Sequence, residues 1–295
     1  MAKRKLSERE ELKKQAGREM AVYKRDDMIQ KARFSLTLQE QKCILYAISK
    51  IKPTDTYLTE YVFDIRDFYT LCGIEKDTYT ELKKQLIALK SKCWWLLMPD
   101  GETESAVSWF DVVRTNKKSG KVTVAFHRDM MPYLVELAKQ AEQGMFYTGY
   151  NLQFILPMSS RYSPRLYEIL KSYQKNNREW FFELEDLKKL LDCQNYTRWP
   201  DFRRFALEPA VEEINEYTDL NVAMDAQKEG RKVTRVVFYM AKKGQKALQK
   251  AKMAGVDRLD GQLDFDALLA ELQRGDSVKA QFLAENPIRP EENEN

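Results

Sequence analysis

TRWPDFRRFALEPAVEEINEYT, residues 197–218, is the stretch whose reading decides the fold. Its first half sets Arg198, Arg203 and Arg204 among the aromatics Trp199, Phe202 and Phe205. Its second half places Leu207, Ala210, Val211, Ile214 and Tyr217 at helical spacing, which predicts a helix with one buried face. The following residues read LNVAMDA, QKEGRK and VTRVVFYM: two alternating runs joined by a basic turn with a glycine, hence two strands and a hairpin. A helix led by arginines and followed by a basic hairpin has the form of a recognition helix with its wing.

The arginines are patterned more sharply than a generic basic surface. On a helix, Arg204, Glu208, Asn215 and Glu216 fall on the polar side, opposite Leu207, Ala210, Val211 and Ile214. Glu212, Glu213 and Glu216 would be repelled by phosphates, so only the first turns can face duplex DNA. An arginine fork there can donate two hydrogen bonds to guanine O6 and N7. Pro209 removes a backbone donor and kinks or splits the element. The plain alternative is a surface helix whose arginines pair with Asp201, Glu208 and Glu212; the adjoining basic hairpin weighs against it.

Composition bounds the rest. A chain of 295 residues has room for about two domains. With 43% hydrophobic and 12% aromatic residues it can fill sizeable cores. No apolar run is long enough to span a bilayer, and MAKRKLSEREELKKQ lacks the apolar stretch of a secretory signal. Cys43, Cys72, Cys93 and Cys193 are scattered without a CxxC pair, as in a reduced, cytoplasmic protein with no zinc site. Of 49 Lys and Arg against 45 Asp and Glu, residues 256–295 hold 4 against 10, leaving a basic body with an acidic tail.

In chain order, residues 1–33 are net basic, with Leu6, Leu12, Met20 and Val22 too sparse for a core: an arm or loose helix. SLTLQEQKCILYAISKI predicts a helix capped by Ser35 or Thr37, with Glu40 completing a capping box, Ile44, Leu45, Ile48 and Ile51 inward, and Pro53 as terminator. YVFDIRDFYTLCGI predicts a strand and a helix stopping at Gly73. DTYTELKKQLIALKSK predicts another helix, capped by Asp77 or Thr78, with Leu82, Leu86 and Leu89 inward and Lys83, Lys84, Lys90 and Lys92 outward. CWWLLM, VSWFDVV and VTVAF predict three strands, the last after the basic turn NKKSGK, and MPYLVELAKQ a closing helix.

SPRLYEILKSYQK opens the second half as a helix, with Ser163 as cap, Pro164 at the first helical position, and Leu166, Ile169, Leu170 and Tyr173 inward. EWFFELEDLKKLLDC adds a short strand and helix before the arginine stretch. Beyond Met240 comes a basic run, then the amphipathic LDFDALLAELQRG, suited to packing or to a partner, and a polar end at residues 285–295. One plan of helices followed by a basic hairpin thus occurs twice. The expected fold class is α+β: two tandem winged-helix domains, each a helical bundle with a small antiparallel sheet. The expected bounds are an arm at 1–33, domains at 34–149 and 150–245, and a basic-then-acidic tail at 246–295.

From about Ala32 to Lys243 the chain resembles the replication initiators of iteron-containing plasmids, the RepE/Pi type. The resemblance rests on SLTLQEQKCILYAI, FDIRDFYTLCGI, YTELKKQLIALKSK, SSRYSPRLYEILKSY, FELEDLKKLL, PDFRRFALEPAVEEINEYTDL and GRKVTRVVFYM, in that order. It implies that the second winged-helix domain supplies the main reading helix, and the first further DNA contacts and a dimer surface. It implies binding to direct repeats in origin DNA, melting of an adjacent AT-rich region, and recruitment of the host replication initiator and replicative helicase. It also implies autorepression by a homodimer in equilibrium with monomer. Carried over by residue, Arg198, Arg203 and Arg204 match base-contacting arginines around PDFRR. Lys228, Arg231 and Lys232 fall in the second wing, Lys83 and Lys84 on the first domain's equivalent helix, and Lys117, Lys118 and Lys121 at its wing tip.

An enzymatic reading fares poorly. Relaxases need paired metal-binding histidines beside a nucleophilic tyrosine, and the chain has one histidine, His127, at the end of a strand-like VTVAFH. The same count disfavours a tyrosine recombinase as the runner-up. Tyr196 and Tyr217 lack an evident base or metal and read as packing or phosphate-contact residues. No GxxxxGK loop is present. No catalytic residue, metal or cofactor is therefore expected, nor a membrane partner. A transcription repressor without initiator activity would need the same helix, and RNA binding is weaker because nothing resembles the aromatic motifs of RNA-binding sheets.

Overall fold

The structure, a computed structural model, describes residues 20–52, 55–64 and 79–260. Pro53, Cys72, the helix expected to stop at Gly73, the caps Asp77 and Thr78, the inward Leu82 and the amphipathic run after Asp260 lie outside what is described. In chain order the first part holds β1 (Ala21–Arg25), α1 (Asp26–Lys31), α2 (Leu38–Ile48), β2 (Tyr61–Asp64), α3 (Tyr79–Ser91), β3 (Cys93–Leu97) and β4 (Glu104–Ser108). It continues through β5 (Phe110–Asn116), β6 (Lys121–Phe126), α4 (Met131–Leu134), α5 (Leu137–Glu142) and β7 (Tyr147–Asn151). The second part holds α6 (Ser163–Gln174), β8 (Glu179–Glu183), α7 (Leu184–Leu190), α8 (Trp199–Phe202), α9 (Glu208–Tyr217), β9 (Leu220–Glu229), β10 (Lys232–Lys242) and α10 (Gln245–Asp260).

Two antiparallel sheets have one topology, β2-β6-β5 and β8-β10-β9. In each, the first strand in sequence pairs with the last strand of the hairpin, so the expected doubling of one plan is present in the backbone. The chain is α+β with two winged-helix units. The first unit differs by an inserted two-stranded ribbon, β3-β4. VSWFDVV, expected as one strand, is therefore two: the chain breaks at the buried Trp109, and the halves serve different sheets.

Other local signals act as their chemistry predicts. Thr37 caps α2: its hydroxyl accepts from the Glu40 N–H at 3.3 Å, and the Glu40 carboxylate accepts from the Thr37 N–H at 2.7 Å. Ile44, Leu45, Ile48 and Ile51 are buried. Ser163 does not cap α6. It lies within the helix, and its hydroxyl donates to Glu213 instead. MPYLVELAKQ forms two short helices, α4 and α5, because Glu136 between them takes a left-handed backbone with φ of 52°.

Residues 20–32, expected within an unpacked arm, are folded. β1 pairs antiparallel with β7, Val22 opposite Tyr150, and Met20, Val22, Met28, Ile29 and Ala32 are buried. β7 also crosses the boundary expected between residues 149 and 150. The burial comes from pairing with a strand over a hundred residues away, a contact with no local signal.

α6 is the hub. From Ser163 to Ser172 it is buried all round. Toward the first unit, Glu168 pairs with Lys24 and accepts from the Tyr150 hydroxyl. Arg165 donates to the Ala32 carbonyl at 2.6 Å and lies 4.8 Å from the Phe34 ring, which packs on Trp109 at 5.1 Å. Toward the second unit, the Tyr167 hydroxyl donates to Asp219 at 2.9 Å, and Lys171 pairs with the same carboxylate. Burial lowers the affinity of Lys24 for its proton, and Glu168 only partly offsets this.

Candidate nucleic-acid interface

Arg198 stands before the first turn of α8, and Pro200 sits inside that turn, where its missing N–H costs nothing. Between α8 and α9, residues Arg203–Leu207 form a π-helical turn, and the Glu208 N–H donates five residues back to the Arg203 carbonyl. Pro209 supplies the physical reason: it has no N–H for the carbonyl four residues earlier, and its ring crowds that carbonyl. The helix absorbs the defect as one wide turn and neither ends nor splits there. The wide turn sets Arg203, Arg204 and Phe205 in succession on the surface, between the fully buried Phe202 and Ala206.

Directional bonds fix this helix from behind. Asn215 exchanges two hydrogen bonds with the Val222 backbone, accepting at 2.7 Å and donating at 2.8 Å, and so roots β9 to α9. Glu213, expected on the polar side with the phosphate-repelling carboxylates, instead turns inward. It accepts from the Ser159 N–H at 2.8 Å, from the Ser159 hydroxyl at 2.6 Å and from the Ser163 hydroxyl at 2.5 Å, ahead of and at the start of α6. Lys243 donates to the carbonyls of Asn215 and Thr218, where a cation suits the negative end of α9. Burial lowers its pKa from the usual lysine value, and Asp219 opposes that shift. Under the leading end, Tyr196 packs edge-on to Tyr162 and against Phe202 at 6.3 Å. Burial there pushes the Cys193 thiol up to about 12, so it stays protonated.

The hairpin is tighter than the sequence suggested. β9 and β10 run on to Glu229 and Lys232, which pair directly, leaving the two-residue loop Gly230-Arg231. Gly230 has φ of +62°, the left-handed backbone that such a loop demands at its first position. Lys228, Arg231 and Lys232 are all exposed around this tip. In the first unit the β5–β6 turn spans residues 117–120, and the Asn116 side chain accepts from the Lys118 and Ser119 N–H groups at 3.0 and 3.1 Å. Lys117, Lys118 and Lys121 are exposed there, with Lys121 paired to Asp64 at 2.9 Å, and Lys83 and Lys84 are exposed on α3.

Two of the three reading-end arginines are held by carboxylates. Arg198 pairs with Asp201 at 2.7 Å and Arg203 with Glu208 at 2.8 Å, as the plain surface-helix alternative foresaw. Arg204 has no carboxylate partner among the described residues; its guanidinium lies 5.4 Å from the Phe205 ring. Exposed pairs of this kind are worth about 0–1 kcal/mol, whereas a bidentate arginine–guanine contact discriminates by about 1–3 kcal/mol. The carboxylates therefore park the forks without locking them. His127 has a structural role, since its Nδ1 accepts from the Asp129 N–H at 3.2 Å and caps a short turn.

Comparison with known proteins meets this geometry directly. The family described as Initiator Replication protein, WH1, matches residues 21–171, and its companion described as Initiator Rep protein, WH2, matches residues 183–240. The chain belongs to the replication-initiator family. As a family member it is 24% identical over 232 residues to a replication initiation protein of Escherichia coli, across 75% of this chain and 69% of that relative. A solved structure of the Pi initiator protein in complex with iteron DNA shares the fold, with a TM-score of 0.57 at 20% identity, over 77% of this chain and 99% of that one. The first matched segment begins at Ala21, in the strand that the sequence reading left in the arm. Sequence reasoning also missed the anchors of this initiator's arginine-bearing helix, Glu213, Asn215 and Lys243, because each acts on residues distant in the chain or on backbone atoms.

Proposed function

We propose that the chain is a plasmid replication initiator that binds directly repeated origin DNA, the iterons. The joint placement of two groups carries this reading: exposed Arg198, Arg203 and Arg204 at the leading end of a buried-backed helix, and a basic hairpin rooted to that helix by Asn215. The Pi initiator was crystallised with iteron DNA, and its fold is the one found here, which supports the same class of ligand.

In this mechanism the π-helical turn enters the major groove, the arginines exchange Asp201 and Glu208 for guanine edges, and Lys228, Arg231 and Lys232 displace counterions from the phosphates. Lys83, Lys84, Lys117, Lys118 and Lys121 grip the backbone alongside. The bound protein opens the neighbouring duplex and recruits the host initiator and helicase. A dimer formed through the first unit represses the protein's own gene. The activity is cytoplasmic, uses no cofactor and breaks no covalent bond.

Footprinting on the parent replicon, joined to a plasmid-maintenance assay, tests this. The expected result is protection of regularly spaced direct repeats, and replication of a plasmid carrying them only when the protein is supplied. Protection of one inverted site with replication independent of the protein would make it a repressor instead.

A further inference from the structure

Phe205 is a large apolar side chain in a place that packing does not explain. The residue is 53% exposed, whereas Phe202, Leu207 and Ile214 on the same helical stretch are fully buried. It follows Arg203 and Arg204 on the wide turn, and the Arg204 guanidinium lies 5.4 Å from its centroid. The first unit repeats the motif: Ile87 is 66% exposed on α3, one helical turn beyond the exposed Lys83 and Lys84. Among the described residues, each of these two helices thus sets a large apolar group beside outward cations.

Leaving such a side chain in water forgoes the gain from burying it. The position makes sense if the ligand covers it with something apolar. Along the major groove, base edges present hydrogen-bond donors and acceptors, with a single apolar group, the C5-methyl of thymine. Cytosine has a bare C5–H in that place beside its N4 donor, and the purines present N7 with O6 or N6, polar atoms that a phenyl ring would leave unsatisfied. A guanidinium held at an aromatic face keeps its N–H donors available for a guanine. Successive bases on one strand are spaced by about 3.4 Å, so two side chains 5.4 Å apart reach bases one or two steps from each other.

Resting on the DNA-reading function above, we infer that Phe205 is a specificity-determining residue that packs on the C5-methyl of a thymine, while Arg204 reads a guanine one or two steps away. The pair acts as one reader of a thymine–guanine arrangement in each repeat.

The probe is the duplex that the wild-type protein enriches from a random-sequence pool, remade with one thymine at a time replaced by deoxyuridine, which removes only the methyl. Binding is measured at low salt, where phosphate contacts keep weakened variants bound. Covering one methyl corresponds to about fourfold in affinity, so one or two positions should bind the wild type about fourfold more weakly as uracil. Phe205→Ala, a change outside the core, should bind the thymine and uracil forms alike. Phe205→Leu, with an apolar tip retained, should keep part of the preference. A wild type indifferent to every substitution, or a Phe205→Ala variant that still discriminates at the same position, overturns the assignment. Enrichment of no duplex at all removes the DNA-reading function itself, and this inference with it.

Discussion

In the first winged unit the wing turn has four residues, 117–120, and the helix beside the sheet presents Lys83, Lys84 and Ile87; in the second the turn is Gly230-Arg231, and the helix presents Arg198, Arg203, Arg204 and Phe205. The sheets have the same strand order, so beyond the inserted β3-β4 ribbon the difference lies in the side chains that each helix presents. Lysine offers a mobile point charge that suits a phosphate; arginine offers a planar fork that must be aimed. In the second unit the arginine-bearing helix is pinned by Glu213 and Asn215 and closed off by Lys243, while in the first Lys90 of α3 donates to the Asp111 carbonyl at 2.6 Å. Under the proposed function, the first of these two copies grips the backbone and the second reads bases.

The largest expected effect tests whether the units share one scaffold. Lys24→Met leaves Glu168 buried without its cation, since both side chains are 4% exposed. Breaking such a pair costs about 3–5 kcal/mol, and urea denaturation of the whole chain should show a single, strongly shifted transition. A shift below about 1 kcal/mol, within the range of a surface pair, would mean that α6 does not bind the two parts together.

Next comes the contrast between fork and point charge. Arg204→Ala is expected to weaken binding to the enriched duplex by about 1–3 kcal/mol and to relax its sequence preference. Lys84→Ala should weaken every duplex alike. Equal losses on enriched and random DNA for both variants would erase the distinction between the units.

Asn215→Ala sharpens the same contrast from the scaffold side. It removes both bonds to Val222, at a stability cost of about 1–2 kcal/mol, and should impair specific binding more than binding to random DNA. Unchanged specificity in a stable variant would show that the root of the wing does not aim the helix. The smallest effects belong to the wing tips: Lys232→Ala and Lys118→Ala should each reduce the salt dependence of binding by about one counterion. A slope that stays the same for Lys118→Ala alone would confine phosphate contact to the second wing.

Much of the architecture was legible. The box Thr37-Glu40, the inward Ile44, Leu45 and Ile48, and the alternation in β9 and β10 are local, and their physics operates within a few residues. The split of VSWFDVV at Trp109 was hidden, because its two halves obey partners in different sheets. Glu213 was misplaced for a related reason: spacing gives its angle around a helix axis, but not the serines that another element brings to it.

By itself the sequence determined the helices and hairpins that repeat as two winged units, and which helix carries arginines at its leading end, but not β1, α1 or β7. Those follow from side-chain periodicity, turn residues and composition, all of which are read along the chain. Tertiary structure alone decided that residues 20–32 belong to the core, that Glu213 turns to the serines ahead of α6, and that Phe205 stands outward beside Arg204. Each of those outcomes depends on what surrounding elements cover or leave open, and burial is a property of neighbours in space.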